Sequence, residues 1–150
     1  TVAAMAKICI GAEREATADR PASGLAAHFQ RTDEAIAMAT MYTARHMHAD
    51  AIIALTESGT TALLMSRQDT HIPIFALTQY PASERYLALC RNVFPVAFLP
   101  SELNGVVPVD EAVACLRTRG DLESGDRVLV TKGDFTGPGG TNAMKIITVD

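Results

Sequence analysis

Short apolar runs alternating with stretches of helical spacing constrain this chain more than any other feature. The runs are Ala51–Leu55 (AIIAL), residues 73–77 (PIFAL), residues 93–99 (VFPVAFL) and residues 127–131 (RVLVT). Between them the spacing predicts helices to about Arg67, over about 81–90, and over about 109–119. Continuous apolar strands separated by helices mark a parallel sheet covered on both faces. A last apolar segment, 143–149, follows a Gly-rich loop with no helix between. A parallel return needs a crossover of a dozen residues or more, so this strand is expected to run antiparallel. The predicted fold is α/β: a doubly wound five-stranded sheet, four strands parallel and the last antiparallel, with helices on both faces.

Two further helices precede the sheet. Residues 2–17 place Ala4, Ile8 and Ala12 on one stripe, with Met5 and Cys9 beside them. Residues 18–31 are polar, broken by Pro21 and Gly24, and read as a linker. Thr32 is then expected to cap a helix running to about His48, with Asp33 and Glu34 in the first turn, where the helix dipole favours acids. The remaining first-turn acids, Asp110 and Glu111, have the same reading.

Composition narrows the function. The chain has 150 residues, 48% of them hydrophobic and 20% charged, which suits one globular domain. Its 13 Lys and Arg are scattered and the net charge is −4, so no concentrated basic surface for nucleic acid is expected. No apolar run approaches the ~20 residues of a membrane span. The three cysteines, Cys9, Cys90 and Cys115, lie far apart, and no CxxC pair exists. Reduced thiols in a cytoplasmic protein are the expectation, with no structural zinc. His46 and His48 are two apart on a helix and face different ways, so they share no metal. The chain starts at Thr1 within a helical pattern, as a fragment or a processed product would.

Ligands of open α/β sheets bind beyond the carboxyl ends of the strands. Two loops lie there. In the first, Thr56, Glu57, Ser58, Gly59, Thr60 and Thr61 supply hydroxyls, a glycine for close backbone approach, and the free N–H groups of a helix start. Such a loop can cradle a phosphate without a cationic side chain. It can equally be an ordinary helix cap, with Ser58 capping and Gly59 easing the turn. The second loop contains Lys132, Gly133, Asp134, Gly137, Gly139, Gly140 and Thr141. A loop this long and glycine-rich serves a compact domain as a binding loop or as a plain surface connection. Neither loop has the G-x-x-x-x-G-K-[ST] spacing of a nucleotide P-loop or a GxGxxG fingerprint.

The motifs, taken in order, resemble the pyruvate kinase family. Residues 5–15 (MAKICIGAERE) resemble the last barrel helix of that family, and residues 33–39 (DEAIAMA) the opening of its C-terminal domain. Residues 51–66 (AIIALTESGTTALLMS) are similar to A-I-I-x-x-T-x-S-G-x-[ST]-A, and residues 73–78 to P-I-x-A-x-T. Residues 92–96 (NVFPV), 125–131 (GDRVLVT) and 139–145 (GGTNAMK) continue the series. The resemblance implies three parts: residues 1–18 as the last helix of a barrel domain, 19–31 as linker, and 32–150 as the allosteric C-terminal domain. It implies that Thr56, Ser58, Gly59, Thr60 and Thr61 hold an effector's phosphate, with Glu57 inside the same loop. Lys132 and residues 133–141 then form the effector loop.

Glu57, Thr60 and Asp134 stand where other members place basic or Trp residues. These departures point to the bacterial type activated by AMP, ribose 5-phosphate or glucose 6-phosphate. The catalytic site of the family, with its Mg²⁺ and K⁺, lies in other domains. This domain is therefore expected to carry no catalytic residue and no cofactor, to be inactive alone, and to pack on the catalytic barrel within a homo-oligomer, a tetramer in the family. Two alternatives stand beside it: a freestanding phosphate-ligand-binding protein, for which the opening helix has no use, and a small α/β enzyme, for which no nucleophile–base pair is present at a strand end.

Overall fold

The computed structural model describes residues 2–16, 28–101, 108–133 and 140–150. In chain order the elements are α1 (Val2–Ala16), α2 (Thr32–Met47), β1 (Ala51–Leu55), α3 (Thr60–Ser66), β2 (Ile74–Thr78), α4 (Pro81–Leu87), β3 (Val93–Ala97), α5 (Val109–Arg119), β4 (Arg127–Gly133) and β5 (Thr141–Thr148). The sheet order is β3-β2-β1-β4-β5. β1 to β4 are mutually parallel and β5 runs antiparallel to β4. The expected α/β fold is the one found.

The sheet separates two apolar layers. On one face Ala37, Met41 and Ala44 of α2, Ala62 and Met65 of α3 and Leu87 of α4 pack on Ile52, Ala54, Ile74 and Leu129. On the other, Val109, Ala112 and Leu116 of α5 pack on Ile53, Leu55, Leu77, Val128 and Val130. β1 and β2 are buried along their whole length, because helices cover both of their faces. Each fully buried Ile or Leu there stabilises the fold by about 1.5–3 kcal/mol.

β3 tolerates Pro95 because it is an edge strand. Phe98 donates its N–H to Thr78 and Asn92 accepts from Ile74, so the even-numbered residues here face β2. Pro95, of the other parity, faces outward and loses no ladder bond.

The start of α2 departs from expectation. The helix begins at Thr32 itself, and its first residue makes no capping bond. The cap position is Arg31, and within the first turn Asp33 accepts from the Glu34 N–H at 3.0 Å and from Arg31 Nε at 3.0 Å while 1% exposed. A carboxylate held by a guanidinium can be buried where an unpaired one cannot. α3 and α4 each stop a residue or more before the sequence reading placed their ends.

Every residue from 2 to 12 in α1 is exposed, with Met5 67% and Ile8 71% exposed. The stripe legible in the sequence finds no cover among the described residues.

Candidate functional site

After β1 and β2 the chain crosses to the next strand over the face that carries α3 and α4. After β3 it crosses by α5 over the opposite face to reach β4. The strand order reverses between β1 and β4, and the carboxyl ends of those two strands frame the crevice where open α/β sheets hold ligands. β1 ends at Leu55, with Thr56 directly after it, and β4 ends in Lys132 and Gly133. The two loops singled out in the sequence therefore flank one crevice.

Thr56 is still tied to the sheet, donating its N–H to Leu77 at 3.1 Å. Its hydroxyl accepts the Gly59 N–H at 2.9 Å, which folds the loop back on itself. Gly59 then turns the chain into α3 with φ +80, a left-handed conformation natural only to glycine. A Cβ at this position would meet three Leu87 side-chain carbons at 3.0–3.1 Å. The Ser58 and Thr60 hydroxyls bond each other at 2.8 Å, while the Thr60 N–H reaches Ser58 Oγ only at 3.4 Å. Ser58 is thus no tight cap, and the first backbone N–H groups of α3, as at any helix start, have no partner within the helix.

The Glu57 carbonyl is fixed from α4 and from the end of β2. Ser83 Oγ donates to it at 2.6 Å, with Thr78 Oγ1 more distant at 3.5 Å. These supports were not found in the sequence, although hydroxyls after the adjacent strand end are the signal that carries them. Thr56, Glu57, Ser58 and Thr60 are half-buried. Thr61 differs: it is 2% exposed, and its hydroxyl lies 2.6 Å from that of Thr141 at the start of β5.

Gly133 pairs with Thr141 across the β4–β5 ladder, where the register shifts. A Cβ on Gly133 would run into the Gly140 carbonyl, so the two strands approach as closely there as backbones can. Lys132 is half-buried beside it. Asp134, Gly137 and Gly139 lie outside the described residues. The site thus draws together residues 56–61, Lys132, Gly133, Gly140 and Thr141, all at one end of the sheet.

Elsewhere, His46 Nδ1 lies 2.8 Å from the Tyr42 carbonyl and its ring stacks on Tyr42. No three His, Cys, Asp or Glu side chains gather as a metal site among the described residues. Burial pushes the Cys90 thiol above its ordinary pKa, against a hydrogen bond with Ser66 and the charge of Arg67. No described helix is long and apolar enough to cross a membrane.

Comparison with known proteins bears on the whole chain. The family model described as pyruvate kinase, alpha/beta domain, matches residues 34–147. Pyruvate kinase II of Salmonella typhimurium is 45% identical over 152 residues, covering 100% of this chain and 32% of its own length. Pyruvate kinase of Buchnera aphidicola subsp. Schizaphis graminum is 42% identical, covering 99% and 31%. That of Haemophilus influenzae is 36% identical, covering 100% and 31%. The chain spans about a third of the length of these relatives.

Proposed function

The chain belongs to the pyruvate kinase family by its alpha/beta domain, and we propose that this domain is the allosteric receptor for a phosphorylated small molecule. The phosphate sits in the loop of Thr56, Glu57, Ser58, Gly59, Thr60 and Thr61. The supporting observation is that this loop and the β4–β5 junction meet where the strand order reverses. Donors there are hydroxyls and backbone N–H groups, and Glu57 adds a negative charge. That balance suits one phosphate better than two, since each further anion must approach the acid. AMP, ribose 5-phosphate or glucose 6-phosphate is the effector class.

The domain itself performs no phosphoryl transfer. Conversion of phosphoenolpyruvate and ADP to pyruvate and ATP, a step of glycolysis, belongs to the barrel and its neighbours, where Mg²⁺ and K⁺ act. The exposed apolar residues of α1, Met5 and Ile8, support packing on that barrel. The working form is a cytoplasmic homo-oligomer.

Thermal stability of the intact protein, measured with AMP, ribose 5-phosphate, glucose 6-phosphate and fructose 1,6-bisphosphate, tests the reading. A ligand at a hundred times its Kd stabilises by about 2.7 kcal/mol. The monophosphates are expected to do so, and Thr60→Asp to abolish the effect by setting an anion against the phosphate while leaving the protein folded. If no phosphorylated compound stabilises the wild type, the proposed receptor role is wrong.

A further inference from the structure

The two ends of the Glu57–Ser58 peptide keep different company. Its carbonyl accepts from Ser83 Oγ at 2.6 Å and, at the outer limit of a hydrogen bond, from Thr78 Oγ1 at 3.5 Å. Its N–H, on Ser58, has no hydrogen-bond partner among the described residues. The next two N–H groups differ, for those of Gly59 and Thr60 turn back on the Thr56 and Ser58 hydroxyls. We propose that Ser83 is a positioning residue of the ligand site: by holding the Glu57 carbonyl it aims the Ser58 N–H at a bound phosphate. The inference rests on reading residues 56–61 as a phosphate site, and it adds to that site a residue from outside the loop.

Direction decides what the loop presents. No peptide bond among the described residues is cis, and in a trans peptide the C=O and N–H point opposite ways. Both hydroxyls that hold the carbonyl lie on the β2 side: Thr78 ends β2, and Ser83 stands in the first turn of α4. The Ser58 N–H is thereby turned away from them. On that other side the neighbour of β1 is β4, across the crevice. Rotated the other way, the same peptide would set its carbonyl oxygen against the phosphate, partial negative charge against negative. Ser83 is able to hold the carbonyl because α4 is itself fixed: Pro81 opens its first turn and Leu87 is fully buried in the core. Thr78 is the weaker support, since its contact is longer and its hydroxyl also accepts the Tyr80 N–H at 3.2 Å.

Calorimetric titration of the intact protein, with inorganic phosphate and ribose 5-phosphate as probes, tests this in Ser83→Ala and Ser83→Thr. Ser83→Ala is expected to weaken binding about three- to tenfold. Ser83→Thr, which keeps the hydroxyl, should bind as the wild type does. Loosening of α4 would also lower affinity, so the second readout is the Ser58 amide itself. In deuterated intact protein isotope-labelled at serine nitrogen, the Ser58 amide proton should move downfield when ribose 5-phosphate saturates the wild type. That movement should shrink in Ser83→Ala and return in Ser83→Thr. Full affinity in Ser83→Ala overturns the proposal, as does a Ser58 amide that stays in place when the wild type binds. Weaker binding with an unchanged Ser58 movement at saturation marks a merely structural role for Ser83 and overturns it too. If the wild type takes up neither probe, the receptor reading falls first and this one with it.

Discussion

At the residue scale, Gly59 answers two demands at once. Its φ of +80 excludes a Cβ on conformational grounds, and the Leu87 side chain excludes it on steric ones. Either demand alone could be met by a small adjustment; together they leave nowhere to move, because Leu87 is fully buried in the core. Gly59→Ala is expected to destabilise by about 1–3 kcal/mol, read as a lower denaturant midpoint with unchanged slope. The loop is therefore tied to α4 through packing and the Ser83 hydroxyl, and to the end of β2 through the Thr78 hydroxyl. The Thr131 hydroxyl, fully buried one strand away, has no hydrogen-bond partner among the described residues.

At the scale of elements, α5 shows how a connection is fixed. The Glu111 carboxylate accepts the Ser101 N–H at 2.9 Å and the Ser101 hydroxyl as well, which holds its pKa below the ordinary carboxylate value. A lowered folded pKa means the ionised form is favoured by folding. The contribution is present above the ordinary carboxylate range and is lost as pH falls through the lowered folded value. An NMR titration of Glu111 should show the depressed pKa, and Ser101→Ala should return it toward normal.

The elements themselves were largely legible in the sequence. Buried parallel strands must be apolar throughout, so the AIIAL run read as β1 and matched it residue for residue. What the sequence did not carry was pairing. Nothing in RVLVT says that β4 lies beside β1, and the Thr61–Thr141 bond joins residues too far apart for any local pattern to reveal. The start of α2 was misread by one residue because Thr is a favoured cap, whereas the helix takes Thr32 into its first turn and leaves Arg31 at the cap position, where its guanidinium holds Asp33.

At the scale of the whole molecule, two surfaces differ from the rest. α1 exposes its apolar stripe, and the β3 edge carries Pro95 with its ring nitrogen turned outward. If α1 packs on a catalytic barrel, Cys9, exposed here, becomes protected in the intact protein. Thiol labelling should then proceed more slowly at Cys9 in the intact protein than in the 150-residue chain alone; equal rates would show that α1 stays uncovered.

The strand order carries a consequence for how the protein is made. β1, α3 and β2 occupy residues 51–78, so the loop of residues 56–61 is made before the strand that faces it across the crevice. That strand, β4, begins at Arg127, and the Thr61 hydroxyl meets that of Thr141 only after 80 further residues have been made. Closing a loop of that length is slow compared with forming the local βαβ unit. A nascent chain therefore passes through an interval in which the 56–61 loop exists but only one side of the crevice does. The crevice between β1 and β4 is therefore completed by long-range pairing rather than by local folding.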